Sequence, residues 1–572
     1  MSIYVKYFDA PKGAQEAMQI SSEDGQLFGD PSYLSGGMFD DVPWATLEPN
    51  SWSLDGSRKL MGDNPSDTIG WWSQRRSNES GIFYSDDIPP TIRLHFGWEN
   101  SFSAPGIAFQ FWPSLGQWCS AMRVTWYYAE YGDAYPDSEY NIAAQEIVFP
   151  DSANWFLEKQ VDKFNFIDVE FLETNIPGQF AKLQNIQVGC VHFFFQDELV
   201  RVSLLNEVDP SACELSADEL TVEILDKKNR QLTVQENQKM QLYQDEKLIA
   251  SHYIQECTRE GEKKCIFKCN SVIAVLDDTF LGGMYDEEPL FLLLLLDVLK
   301  DIPFSLDPSL TGVLVSGYLP VCTRREALQQ IAFAVGAVIT TQGDGKICIN
   351  AIADPASDKP ESGFNKDAIL AGANLTQTKQ PAMIQVTSHR YTKSEETETL
   401  LESANLVADT VLVFSEPHWG YELEGDLTGI GMEEHDNWVR ITVGYPGTIT
   451  LTGKKYAHIT EKYSLASADA SLSVGSDTVK VENATLITSA NVKRVLARLK
   501  AYHSLTNSLK GTVVVRRQKA GELVEVANPY DSDITVGYIT SMESEFTANG
   551  HTASIVVRGL VRPAGEAEVL NQ

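Results

Sequence analysis

Five tryptophans, Trp71, Trp72, Trp98, Trp112 and Trp118, are the side chains of this sequence with the most specific chemistry open to them. A flat indole face packs against the C–H face of a sugar ring while flanking polar groups bind its hydroxyls, and β scaffolds commonly carry such sites. The competing reading is that these rings fill a core or a subunit interface, where tryptophan is equally at home. His418 and His435 stand in an acidic stretch with Glu416, Glu422, Glu424, Asp426, Glu433, Glu434 and Asp436, a donor set suited to a divalent ion. A solvated acidic loop accounts for the same residues, and no metal is expected. Gly343-Asp-Gly-Lys346 has the lysine of a phosphate-binding loop without its earlier glycine or following helix, so it reads as a hairpin turn. Cys265 and Cys269 lack the spacing of a metal knuckle or redox pair, but on a strand they share one face as small packing residues. No His-Glu-x-x-His, Gly-x-Ser-x-Gly or calcium-loop pattern occurs. With 79 acidic side chains, a glycosidase pair cannot be chosen from sequence, because its signal is separation in space. These residues predict neither an enzyme nor a cofactor.

The 572 residues, 43% hydrophobic and 10% aromatic, suit about three to five domains with their own cores and are too aromatic for wholesale disorder. The net charge of -34 argues against a surface that wraps nucleic acid, since phosphate binding needs clustered Lys and Arg. The longest apolar run, 289–296, falls far short of the ~20 residues of a membrane helix. Residues 1–10 include Lys6 and Asp9 and lack the apolar centre of a secretory signal, so synthesis in the cytoplasm is expected. Eight scattered cysteines do not make a disulfide scaffold.

Nine of the 11 tryptophans lie at or before Trp155, which sets the first third apart. Residues 1–90, rich in Gly, Pro, Asp and Ser, read as an aromatic-anchored segment. Short β runs at 91–96, 106–111, 122–128, 142–149, 166–172 and 183–188 predict a β-sandwich or jelly roll over 91–200, and this module resembles an added discoidin-like or carbohydrate-module-like insertion. Alternating runs predict a further β unit over 201–285. Residues 286–355 read as a small α/β module: a buried helix at 290–299, then a helix from 323 with Thr323 and Glu326 as a capping box and Gly336 as its stop, then a hairpin. A linker at 353–364 leads to a mainly β region, 356–572, with one helix at 489–505.

Two stretches carry a family resemblance. Trp44-Ala-Thr-Leu-Glu-Pro-Asn-Ser-Trp-Ser-Leu-Asp-Gly-Ser57 resembles a signature of the baseplate hub or tail-tip proteins of tailed phages and prophages of Gram-positive bacteria. Ser316-Gly-Tyr-Leu-Pro-Val-Cys-Thr-Arg-Arg-Glu-Ala-Leu-Gln-Gln-Ile-Ala332 is similar to the small α/β module of such hubs. Phe280-Leu-Gly-Gly-Met284 and Val536-Gly-Tyr-Ile-Thr-Ser-Met542 add weaker support. The resemblance implies a structural virion protein: two β-barrel hub domains flank the α/β module in a homotrimer around the DNA conduit. DNA would pass the lumen without specific binding, and an acidic wall suits that passage. The implied partners are the tail tube, distal tail, tape-measure and other baseplate proteins. The resemblance does not extend to a peptidase or muramidase domain, so wall-degrading activity is not expected. Two other functions stay open: recognition of a host-surface glycan through the sandwich, and hydrolysis of a polysaccharide by unrecognised carboxylates.

Overall fold

A computed structural model of the chain describes residues 2–11, 13–22, 25–28, 44–46, 48, 57–60, 70–83, 89–112, 115–130, 141–211, 214–227, 234, 238–261, 263–300, 302–370, 372–466, 477–547, 550–567 and 569–570. Most of the signature at 44–57 and the turn residue Asn549 lie outside the described residues. The chain is mainly β and multidomain, with its strands in several sheets.

Thirteen strands form one sheet. Its first seven, in spatial order, are Cys190–Phe195, Ile3–Asp9, Lys239–Gln244, Lys247–Glu260, Lys264–Asn270, Glu219–Leu225 and Leu199–Glu207. Their alternating apolar side chains, among them Val5, Tyr7, Leu220, Val222 and Phe267, enclose one core, as period-2 alternation requires of a sheet with one wet face. Cys265 and Cys269 both point into it and are buried. The remaining strands, led by Ile534–Thr547, Gly550–Arg562 and Asn507–Val514, curl around a second core that includes Leu509, Val526, Ile539 and Val557. The two barrel-like units are fused by an antiparallel ladder from Val202↔Phe546 to Glu207↔Ser541.

The chain leaves the first unit after Asp9 and returns at Cys190, two strands that pair with each other. Everything between is an insertion. Its β-sandwich consists of a five-stranded sheet, a three-stranded sheet of Asn154–Phe164, Phe102–Gln110 and Asn185–Val188, and a smaller sheet around Gly70–Arg76. The entry and exit chains nearly touch: a Cβ on Gly189 would lie 2.3 Å from the Asp9 carbonyl oxygen, and its φ is +94°. Only glycine fits there without strain. Strand pairing therefore divides the expected segment 1–90, placing Ile3–Asp9 with the barrel-like unit and Gln19–Ser21 and Gly70–Arg76 with the insertion. Periodicity marks a strand but not its partner.

The α/β module packs around a core that it shares with Ile384, Val386, Val495 and Leu499 further along the chain. Helix Arg324–Val335 opens on the expected capping box: the Glu326 backbone N–H donates to Thr323 Oγ1 at 3.1 Å and the Thr323 N–H to Glu326 Oε2 at 2.9 Å. Gly336 ends it at φ +83°, and Leu328, Ile331 and Ala332 bury the inner face. Strands Ala337–Thr341 and Ile347–Ala351 form the expected hairpin. The helix expected at 290–299 is instead a single turn, Leu290–Leu292, running into a π-helical stretch, Leu293–Val298. It is buried on one side only. An unbroken run of leucines has no polar face to turn outward, so some of it must meet solvent.

Two long antiparallel strands, Met383–Leu406 and Gly447–Ala466, form an arm. At ~3.3 Å per residue, the 24-residue strand spans about 80 Å when fully extended. The acidic loop expected around 416–436 is largely ordered as strands His418–Gly425 and Ile430–Glu434 at the distal end of this arm. There a three-stranded sheet packs over a small core of Tyr421, Val439, Ile441, Ile449 and Leu451. Alternation with Tyr421, Leu423 and Ile430 on the inner side leaves every carboxylate of the stretch but Asp436 outside, which is why composition alone suggested a loop. Helix Val492–Ser504 buries Val492, Val495, Leu496 and Leu499 at the arm's root.

Candidate assembly surfaces

The five tryptophans do not form a site. Trp71, Trp72 and Trp112 are buried in the insertion, with Trp71 stacked on Phe171 at 4.9 Å and Trp72 edge-on to Trp112 at 5.8 Å. No sugar reaches those faces. Trp98 and Trp118 are partly exposed but lie at opposite ends of the five-stranded sheet. Strand Phe166–Thr174 pairs Phe166 with Tyr127 at one end and Thr174 with Cys119 at the other. Trp98 packs on Phe166, whereas the Trp118 backbone N–H donates to Asn175 Oδ1 at 2.9 Å.

The signature's Glu48 has a structural role that sequence reasoning missed. It is buried, and its Oε2 lies 2.5 Å from the equally buried Lys182 Nζ, while Oε1 accepts from the Phe180 backbone N–H at 2.8 Å. Lys182 also donates to Gln117 and sits 4.5 Å over the Trp72 ring. Burial pushes the Lys182 ammonium below its ordinary range, and Glu48 pulls it back up. A buried charge of this kind persists only when paired.

His418 and His435 are not ligands of a common centre. The buried His418 uses Nδ1 on the Glu416 carbonyl oxygen and Nε2 on Glu398, whereas His435 stacks on Trp438 with ring centroids 3.8 Å apart. Among the described residues no group of three His, Cys, Asp or Glu side chains is placed to hold a metal. In the Gly343-Asp-Gly-Lys346 turn, a Cβ on Gly343 would come 2.8 Å from the carbonyl oxygens of Leu248 and Ile249. Glycine serves there to dock the hairpin on the first barrel-like unit rather than to cradle phosphate.

That docking closes one side of a cleft of about 880 Å³ at the seam of the two units, lined by Asp218, His252, Thr341 and His551 among others. Burial raises the Asp218 carboxyl to about 6, against the pull of its bond from Thr341. Burial lowers His252 and His551 to about 4. Neither His252 nitrogen makes a hydrogen bond, so His252 orients no serine or cysteine and the cleft holds no nucleophile–base pair through it.

The outward side of 290–298 is the clearest contact surface. Phe291, Leu292, Leu295 and Leu296 are exposed, Leu296 by 64%, and Leu314 is exposed opposite Pro289. The inward side chains Leu290, Leu293, Leu294 and Val298 are buried. Contiguous exposed apolar groups of this kind mark interaction sites more often than ordinary surface. No described helix is long and apolar enough to cross a membrane.

No family model matches the chain, and no curated protein matches it. Among solved structures it is similar to the 43 kDa tail protein of prophage MuSo2 from Shewanella oneidensis, at 12% identity over 64% of this chain and 95% of that one, with a TM-score of 0.41. It is similar to the tail protein from Neisseria meningitidis MC58, at 11% identity over 64% and 93%, TM-score 0.39. It is also similar to the family 32 carbohydrate-binding module of C. perfringens NanJ in complex with galactose, at 11% identity over 33% and 99%, TM-score 0.20.

Proposed function

We propose that this chain is a non-enzymatic structural protein of a phage-type tail, forming the hub or tip that joins the tail tube to the baseplate. The observation that carries this reading is the arrangement of two barrel-like units fused edge to edge around an α/β module, the architecture that the sequence resemblance implies. The module's capping-box helix carries the matching stretch. The exposed leucine face at 290–298 gives such a protein somewhere to meet a neighbouring subunit. A homotrimer around an acidic conduit, with tube, distal-tail and tape-measure proteins as neighbours and a place in the virion, completes the reading. A net charge of -34 keeps passing DNA from adsorbing to such a wall.

Light scattering on the full chain over a range of concentration and salt tests it. A trimer, or a monomer that trimerises with concentration, supports the reading, and Leu296→Glu should shift that equilibrium toward monomer. A monomer at every concentration counts against it.

A further inference from the structure

A second cleft, of about 750 Å³, lies where the outer face of the three-stranded sandwich sheet meets strands Ile3–Asp9 and Cys190–Phe195. Its size falls within the range of small-molecule sites. Register builds its floor. Asn154, Gln110 and Asn185 stand on one rung across the three strands, and Phe156, Ala108 and Gln187 on the next outward rung. The intervening residues Phe109 and Ile186 are buried, so these side chains face the cleft. The Phe156 ring lies across Gly106, where a Cβ would come 2.7 Å from its Cζ. The far wall carries the pairs Lys6↔Phe193 and Phe8↔Val191.

Two acceptors in this lining are unmet. Asn185 Oδ1 and Gln160 Oε1 are closed off from solvent and have no hydrogen-bond partner. The Gln160 amide is held by its own donors, Nε2 reaching Ser103 Oγ at 3.0 Å and Asp162 Oδ1 at 2.9 Å, so Oε1 is the atom left to accept. Folded proteins rarely leave buried polar atoms without a partner.

We infer that this cleft binds a neutral saccharide. Carboxamides both donate and accept in a fixed plane, which matches adjacent sugar hydroxyls. Phe156 offers a ring face for the C–H side of the sugar. Besides His192, the charged lining groups are Lys6 and Glu158, one of each sign, and the net charge of -34 disfavours a polyanion. A sheet face presents side-chain amides rather than the free ladder groups that an added peptide strand needs. The inference goes beyond the assembly reading and does not depend on it. None of the five tryptophans first singled out lines the cleft.

Saturation-transfer NMR on the full chain, with methyl glucoside, methyl galactoside, N-acetylglucosamine, maltotriose and the anionic 3′-sialyllactose as probes, tests it. At least one neutral probe should bind. Asn185→Ala with Gln110→Ala should weaken it by about tenfold or more, the loss of one or two hydrogen bonds. Ala108→Tyr, which fills the floor and removes no core contact, should abolish binding in a protein with an unchanged melting profile. Trp98→Ala and Trp118→Ala should leave it intact. Binding of no neutral probe, binding that survives Ala108→Tyr, or binding of sialyllactose alone would overturn the inference. The assembly reading is judged separately, by mass.

Discussion

The chain carries two excursions from its central sheet, and they are built in opposite ways. The sandwich leaves and re-enters between two paired strands, and among the described residues its core holds 26 buried apolar ones. The arm runs out on two strands to a distal sheet whose core holds five. Buried apolar area is the main favourable term in folding, so the sandwich has the means to fold as a unit, whereas the distal sheet depends on its attachment. The surfaces differ in the same sense. Along the arm the side chains of Val407, Val411, Val413 and Tyr445 remain exposed, among many carboxylates. A small core with leftover apolar surface fits an element completed by a neighbour.

The sharpest way to break this contrast is to strike the sandwich alone. Glu48→Gln leaves Lys182 buried without its counter-charge, at an expected cost of about 3–5 kcal/mol. For a unit of this size that lowers its melting transition by about 6–20 °C. Calorimetry should show one transition moving while the others stay, and adding Lys182→Met should restore most of the loss. Movement of every transition together would mean that the insertion is not a separate cooperative unit.

The next effect is the arm's. Ile441→Ala opens a cavity in the five-residue core, costing about 2–4 kcal/mol. Trp419 and Trp438 are the two tryptophans after Trp155, and both lie on the arm or its distal sheet. Fluorine NMR with fluorotryptophan incorporated therefore reads arm and sandwich in one spectrum. Only the two arm resonances should report earlier unfolding in urea.

Much of the architecture is legible in sequence where local chemistry decides it. Thr323, Glu326 and Gly336 announce a helix because capping and the left-handed stop are local. Gly343 and Gly345 announce a turn for the same reason. Pairing is not local, so nothing in the sequence places Ile3–Asp9 beside Lys239–Gln244. Strand Asn154–Phe164 escapes because register shifts after Glu158 and after Val161 break its alternation. The tryptophans mislead for a related reason: residue type shows that an indole can bind sugar, but burial decides whether it does. The carboxamide rung was invisible because Gln110, Asn154 and Asn185 meet only through register.

Acid separates the two regions further. At the arm's root, His389 Nδ1 lies 2.9 Å from His458 Nε2, and Tyr391 stacks on His458 at 4.3 Å. Burial first, and His458 second, hold His389 below its ordinary range. The unfolded chain then takes up the proton before the folded one, so this contribution is full above about pH 6.5 and is lost as pH falls below it. The urea midpoint read by Trp419 and Trp438 should drop between pH 7 and 5, and His389→Asn should flatten that dependence. An unchanged midpoint would remove the arm's root as its acid-sensitive point.

The smallest effect is expected where the arm is most heavily charged. Lys454 Nζ lies 2.5 Å from Glu395 Oε2, yet the Glu395 side chain is 80% exposed. Exposed pairs of this geometry contribute little, because water and salt screen the attraction and two long side chains must be held still. Lys454 has a second partner in the Trp419 ring, 4.9 Å away, so Glu395→Ala leaves it seated. That variant should not measurably move the arm's urea midpoint, at low salt or high. A clear loss at low salt that vanishes at high salt would mean that the ribbon is held by its charges as well as by Tyr421, Ile441 and their neighbours. The contrast with the sandwich, where breaking a single ion pair costs several kcal/mol because it leaves a dry charge unpaired, would then rest on core size alone.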